Sequence, residues 1–559
     1  MAKKQPEAAG AGGQRQAPPL RLRLHRIGYS LSCLLFALPL YEVSLGGTAT
    51  RSAAATVPDS WPGNGQLGQE IVQGRLQLGG VGAALKTDFR LRSLSPAARA
   101  ELHGFAWLRH LRAYGGDAAR RRARELVTAW IAQQRAWSSE VWQPAVIGER
   151  IANLMGHYEF FAASGEIALR QSLLRSVARQ ARHLSRCLPA GLAGSALVRA
   201  VKGLVVAGAS LREGRPYLAQ ATAILARSLP RQVRADGGHL ERSPASQLAV
   251  LRDLLDIRAW LHLAEVQPPP ALIDAIQQMG PLLKLLQHPD GGLALFNGAT
   301  EDEGLMVDLV LQRASGRPRQ LLSGPQSGFQ RLQAGRLSVL VDAGRPPEPG
   351  YDEFAQAGTL SFEATAGRQR MIVNCGAFPG DPQWGPLLRG TAAHSTLTLG
   401  EHNSSQVVKR GGLGRRPQQV LCRREERDGS QYLDMSHDGY QPLFGVEHHR
   451  RLVLSEDGEA LIGEDRLEGG RAGLRFALRF HLHPSVQATL NQAGSACLLR
   501  LPRGEGWRFR VQERAIALEQ SIYFGRPEEP RRGLQIVLSG ETEGQGATVV
   551  WWLQREARG

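Results

Sequence analysis

The stretches "GTLSFEATAGRQRMIVNCGAF" (residues 358–378) and "LRGTAAHSTLTLG" (388–400) decide how this chain is read. Each alternates apolar and polar side chains, the pattern of half-buried strands. Around them stand four polar residues able to face a ligand: Gln356, Asn374, Arg389 and His394. Outward from this pair the texture stays the same. "GFQRLQAGRLSVLVDAG" (328–344), "GVEHHRRLVLSED" (445–457), "LRFALRFHLHPSV" (474–486) and "RGLQIVLSG" (532–540) all read as strand, turn, strand. Roughly 200 residues of short strands imply a sandwich of two large antiparallel sheets.

Upstream the period changes. From Ser60 to about Gly316 apolar residues recur at helical spacing, as in "LHGFAWLRHLRAYGG" (102–116) and "AARRRARELVTAWIAQQ" (118–134). Further amphipathic runs occupy 147–163, 166–187, 195–211, 216–232, 244–265 and 270–287. Short connectors between them predict antiparallel neighbours. Such hairpins stack as a solenoid or close as an α/α toroid, and periodicity alone leaves both open. The change of texture puts the domain boundary near 315–330, in "SGRPRQLLSGPQSG".

With 559 residues the chain is too long for one core. Its formal net charge of +17 comes overwhelmingly from Arg. A basic surface suits nucleic acid, an anionic membrane or an anionic polymer. No helix-turn-helix, zinc-finger, RNP or KH signature is present, so nucleic acid is the weakest of the three. Cys33, Cys187, Cys375, Cys422 and Cys497 are widely spaced and read as buried thiols, with no zinc or disulfide framework. Residues 1–20 are Ala/Gly/Gln/Pro-rich and expected to be unstructured. "RLRLHR" (21–26), the apolar run Ile27 to Tyr41 and the small-residue "SLGGTATRSAAA" (44–55) describe a secretory signal. An amphipathic helix packed on the helical half is the other reading. No segment is long enough to span a membrane.

The two halves together resemble the heparinase II/III family of polysaccharide lyases, whose strand pair carries an "LSFE" segment followed by "R-x-x-x-x-H-N-T". The resemblance implies an incomplete α/α toroid followed by a heparinase-like antiparallel sandwich. The expected domains are a leader (1–57), the toroid (58–325) and the sandwich (326–559). It also implies a uronate-containing, acidic polysaccharide as substrate, cleaved by β-elimination in the cleft between the halves. That reaction needs a group that neutralises the C5 carboxylate, a base for the C5 proton and an acid for the leaving oxygen.

Against that requirement, "RADGGHLERSPASQLAVLRDLLDIRAWL" (234–261) matches the family's "D-G-x-x-x-E-x-S-P" segment. The tyrosine expected after Pro244 is replaced by Ala245, Ser246 and Gln247. Ser195 and Ala196 occupy the slots of the family's Asn-His pair, and Phe354 that of a catalytic His. Where relatives hold a metal, this chain has Gln356, Asn374 and His394, two amides and one imidazole, a poor zinc set. The expectation is therefore no metal and no cofactor. Catalytic candidates are His394, His239, Glu241 and Arg242, and substrate-binding candidates are Gln247, Gln356, Asn374 and Arg389. Glu241 and Arg242 are expected to open a helix. His394 should share a strand face with Thr396 and Thr398, and His481 with His483. Cys375 and Tyr440 read as structural. Two functions remain: a periplasmic or other cell-envelope lyase, and a polysaccharide-binding or envelope-assembly protein that kept the fold without the chemistry. Oligomeric state is left open.

Overall fold

The computed structural model describes residues 17–47, 53, 55–85, 87–89, 94–301, 304–316, 320–409, 411–526, 529–544 and 546–556. The expectation of an unstructured 1–20 thus lies outside the described residues, apart from Ala17 to Leu20. The apolar run that follows is a helix, Leu20–Phe36, continued by Pro39–Ser44. Its inner side joins the helical domain. The Phe36 ring lies 4.7 Å from Tyr41, 4.9 Å from His183 and 5.9 Å from Trp137, centroid to centroid, and Leu45 is wholly buried. The segment rests on the helical half as the second reading expects, but it buries only Phe36 of its helix and leaves an apolar face exposed.

The spacing-derived runs return as helices Gly116–Gln133, Ile167–Cys187, Gly194–Ser210, Arg215–Gln232, Pro244–Leu263 and Pro270–Leu285. Two runs are broken. Phe105 takes a left-handed φ of 63°, which separates Pro96–Gly104 from Leu108–Tyr114. His157 similarly separates Pro144–Gly156 from Tyr158–Phe161. A hairpin of Arg75–Leu78 with Val81–Ala84 and the helices Gly65–Val72 and Gly304–Ser315 went unmarked in the sequence. Successive helices pair into an incomplete toroid. Gly194–Ser210 is central, touching Pro144–Gly156, Ile167–Cys187, Arg215–Gln232 and Pro244–Leu263. It is buried on nearly every side, so its apolar residues form no single stripe. A Cβ on Gly203 would sit 2.3 Å from the Gly148 Cα, so these two helices cross backbone to backbone.

The sandwich begins at Ser323–Gly324. Its eight-stranded antiparallel sheet runs, edge to edge, from Gln487–Leu490 to Val420–Arg427. The nine-stranded sheet runs from Ala517–Tyr523 through Arg475–Leu482, Gln369–Val373 and Phe362–Ala366 to Ser323–Gly324, with Leu397–Leu399 added on Arg475–Leu482. Alternation drives the inner faces together. Phe362 and Phe480 of one sheet meet Trp551 and Phe509 of the other, and Phe362 stacks on Trp551 at 5.7 Å with planes 4° apart.

Buried polar pairs weld the halves. His288 of the helical domain faces Glu363 Oε2 and Thr365 Oγ1 of the sandwich, each at 2.8 Å. Arg370 donates to Asp290 at 2.7 Å, and Arg331 donates to the Leu285 carbonyl at 2.7 Å. The "LSFE" glutamate is thus a domain-interface residue: Glu363 also accepts from the backbone N–H groups of Leu295 and Asn374. The 234–242 segment meets Gln326, Ser327 and Asp342 of the sandwich.

Candidate functional site

The segment 233–243 folds back on itself through a bridge between Val233 and His239 and ends at Pro244, where the next helix begins with Ser243 as its cap. This corrects one expectation. Glu241 and Arg242 precede that helix rather than opening it, because the Ser-Pro pair is the stronger start signal. Glu241 instead reaches a different helix end. Its Oε1 accepts from the Ser195 backbone N–H at 2.7 Å, and the Ser195 hydroxyl donates to both carboxylate oxygens at 3.0 and 3.1 Å. The carboxylate caps the positive start of Gly194–Ser210, where a side chain on Gly194 would collide with it.

Arg242 adopts a left-handed φ of 49° and is buried. Such a backbone costs an Arg about 1–2 kcal/mol and persists where its surroundings over-determine it. Those surroundings are on the page. The guanidinium pairs with Asp342 of the sandwich, donates to the Ser327 carbonyl at 2.6 Å and lies over the Phe329 ring at 4.8 Å. From Arg242 a hydrogen-bonded chain runs across the seam. Asn297 Nδ2 donates to the Arg242 carbonyl at 2.9 Å, the Gln356 N–H donates to Asn297 Oδ1 at 3.2 Å, and Gln356 Oε1 meets His394 Nε2 at 3.1 Å.

His394 lies just before Leu397–Leu399, after a short 3-10 turn, rather than on a strand face with Thr396 and Thr398. All three are buried. Its ring occupies the space left by Gly358, whose Cβ would stand 2.6 Å from Cδ2. Nδ1 faces the Gly390 carbonyl at 2.8 Å. The Gln356 amide nitrogen is committed to the carbonyls of Gly376 and Leu388, so its oxygen is the atom offered to Nε2. Both ring nitrogens therefore meet acceptors, and only a charged imidazole could donate to both. Burial holds the pKa below the usual histidine value, with the Gly390 carbonyl and the charges of Asp342 and Glu363 opposing it. The neutral ring donates through one nitrogen and turns the lone pair of the other toward a protein oxygen.

The remaining candidates are also engaged, apart from the buried Nε2 of His239 and Nδ2 of Asn374, which have no hydrogen-bond partner. Asn374 Oδ1 accepts from the Ser395 N–H at 2.9 Å, beside His394, while its buried Nδ2 has no partner. Gln247 Oε1 accepts from the His239 N–H, and its amide nitrogen donates to the Gly237 and Met279 carbonyls. His239 is buried, and burial pushes its pKa down. Arg389 clamps the carbonyls of Ala355, Val408 and Gly412. His481 faces Ser521 at 2.8 Å and Cys375 at 3.4 Å, whereas His483 lies just past the strand end, 5.1 Å from the Tyr523 ring. Those two histidines do not share a site. Among the described residues no group of three or more His, Cys, Asp or Glu could hold a metal ion.

Asn297, Asp342, Glu363 and Tyr351 were missed in the sequence. Asp342 carried a signal, a lone acid closing a strand of otherwise apolar "LSVLV". Tyr351 is half-buried, and burial, then Glu348 and Glu241, raise its pKa. It is within electrostatic range of Arg231, while Arg345 and Arg242 act on Arg234. Arg231 and Arg345 are exposed, as is Glu348. A separate depression of about 740 Å³ on the toroid, lined by Trp61, Asp256, His262 and Arg313 among others, contains none of the candidate residues.

Comparison with known proteins agrees with this architecture. A protein of Caulobacter vibrioides described as FtsZ-localized protein C is 30% identical over 523 residues, 88% of each chain. The solved structure of heparinase III superposes with a TM-score of 0.74 at 13% identity, over 96% of this chain and 91% of that one. The heparan sulfate lyase HepC from Pedobacter heparinus gives 0.61 to 0.58 at 15% identity in two structures, over 96% of this chain and 88% of that one. These two likenesses establish the fold alone. Residues 93–315 match the family described as Heparinase II/III N-terminus and residues 316–552 that described as Heparinase II/III-like, C-terminal, so the chain belongs to the heparinase II/III-like family.

Proposed function

We propose that this chain keeps the lyase fold as a binding platform: a protein of envelope assembly whose cleft holds an acidic polysaccharide without cleaving it. The observation that carries this reading is the state of His394, buried with an acceptor against each ring nitrogen. A general base needs a lone pair within reach of the proton it removes, and the one lone pair of the neutral His394 ring is buried against a protein oxygen. The replaced Asn-His slot reinforces it, because Ser195 there is spent on Glu241. Arg231 and Arg345 remain exposed and suit carboxylates. Resemblance to an FtsZ-localised protein supports work at a division site.

The test is a panel of uronans, with binding followed by calorimetry and cleavage by ultraviolet absorbance of the unsaturated product. Binding without product is expected, and Arg231→Glu with Arg345→Glu should weaken it at least about tenfold at low salt. Product formation that disappears in His394→Ala would overturn the reading. Absence of binding to every uronan would remove the polysaccharide from it.

A lyase acting by β-elimination is the second reading, favoured by one observation: Tyr351 is half-buried in electrostatic range of Glu241 and Arg231. Turnover lost in Tyr351→Phe would support it. The periplasmic address belongs here too. The packing of Phe36, Tyr41 and Leu45 against the toroid supports retention of the N-terminal helix, and N-terminal sequencing of the protein isolated from cells decides the matter.

A further inference from the structure

The helix Leu20–Phe36 has two unlike sides. Its inner side is mounted on both domains. Arg26 Nε donates to the Gly191 carbonyl of the toroid at 3.2 Å, and Leu22 and Pro18 sit over Gly350 of the sandwich, where a Cβ would come within 2.8 Å of the Leu22 side chain. Phe36 plugs the helix end into the ring cluster of Tyr41, Trp137 and His183. The outer side is apolar and uncovered. Leu20, Leu24, Ile27, Leu31, Leu34 and Leu38 follow one another at spacings of 4, 3, 4, 3 and 4, and each is at least half exposed. Leu40 and Val43, 80% and 76% exposed, carry the patch onto the next short helix. A soluble surface does not keep so many large aliphatic residues together without a partner.

Charge identifies the partner. Between Glu7 and Glu42 the sequence has no acidic residue, while Arg15, Arg21, Arg23 and Arg26 lie in that interval. Glu42 is already paired with Arg179. A second copy of the same helix would bring the arginines of two chains together with no acid to meet them. The patch also widens beyond a two-helix seam, through Leu35, Leu40 and Val43. A helix with an apolar face and flanking Arg, too short and too polar to span, fits the plane of an anionic bilayer, aliphatic side chains among the acyl chains and arginines at the phosphates. Among the described residues no helix is long and apolar enough to cross a membrane.

We propose that the Leu20–Leu38 stripe, with Leu40 and Val43, docks this protein on an anionic lipid surface. Docking is rigid rather than tethered, because Arg26 and Leu22 fasten the helix to both sides of the cleft.

Full-length protein floated with vesicles provides the test. Vesicles of phosphatidylcholine with phosphatidylglycerol should carry the protein, pure phosphatidylcholine should carry much less, and salt should weaken the difference. Leu24→Glu with Leu31→Glu should reduce flotation at least about tenfold with an unchanged melting temperature, since both side chains are exposed. Leu24→Ser with Leu31→Ser, which adds no charge, should act in the same direction. Wild-type protein that stays with the soluble fraction in anionic vesicles overturns the proposal. So does a dimer in sedimentation that the same substitutions abolish, which would assign the stripe to a second copy.

Discussion

Arg242 of the toroid and Asp342 of the sandwich form an ion pair buried at the domain seam, with the guanidinium also bound to the Ser327 carbonyl and seated on Phe329. Removing one partner of such a pair leaves the other charged, buried and alone. Arg242→Ala is expected to cost roughly 3–5 kcal/mol. Arg242→Met with Asp342→Leu together should cost clearly less than the sum of the single changes, read from denaturant unfolding. Additive costs would show that the two groups do not depend on each other.

As the catalytic candidate that the sequence offers, His394 would cost turnover and spare stability when replaced. The geometry reverses that expectation. His394→Ala vacates a packed ring site and leaves one of its two acceptors, Gln356 Oε1 or the Gly390 carbonyl, without a donor, so the melting temperature should fall, with a loss of roughly 1–3 kcal/mol. Gly358→Ala should destabilise by the opposite route, pressing a methyl into the ring. An unchanged melting temperature for both would return His394 to the list of free catalytic groups.

Glu241 should behave as a helix cap. Glu241→Ala uncovers the Ser195 N–H and is expected to cost about 0.5–2 kcal/mol; Glu241→Gln retains an oxygen acceptor and should cost less. A calorimetric melt of the three proteins decides the order.

Acid should destabilise the toroid before the carboxylates begin to titrate. Burial holds His103, His157 and His183 at about 4, against an ordinary value of 6.5. A histidine depressed in the fold takes up its proton in the unfolded chain first. The stability lost therefore grows as pH falls from about 6.5 toward 4, by on the order of 2–3 kcal/mol for each such ring. Asp59 and Asp465, each held at about 2, add their loss only below the ordinary carboxylate range. Unfolding midpoints at several pH values between 7 and 4 check this, and a midpoint flat across that window would contradict it.

Much of the fold was legible because it rests on local periodicity. Helices such as Gly194–Ser210 and Pro244–Leu263 start and stop within two residues of the runs at 195–211 and 244–265, since caps, prolines and spacing are written along the chain. The strand texture after 328 was equally plain. Breaks such as Phe105 escaped because a left-handed residue is imposed by tertiary contacts and has no signature in a run of good helix formers.

The candidate site divides along the same line. The sequence alone established which residue types stand at these positions; that they depart from the base, the tyrosine and the metal set of relatives is what the resemblance implies. The sequence could not establish where those side chains are spent. The meeting of Ser195 with Glu241, of Asn297 with Gln356, and of Gln356 with His394 joins groups 46, 59 and 38 residues apart. Such bonds exist only once distant elements are packed, and the Asn297–Gln356 bond only once the two domains have met. That packing turned a set of exposed-looking polar residues into a buried seam.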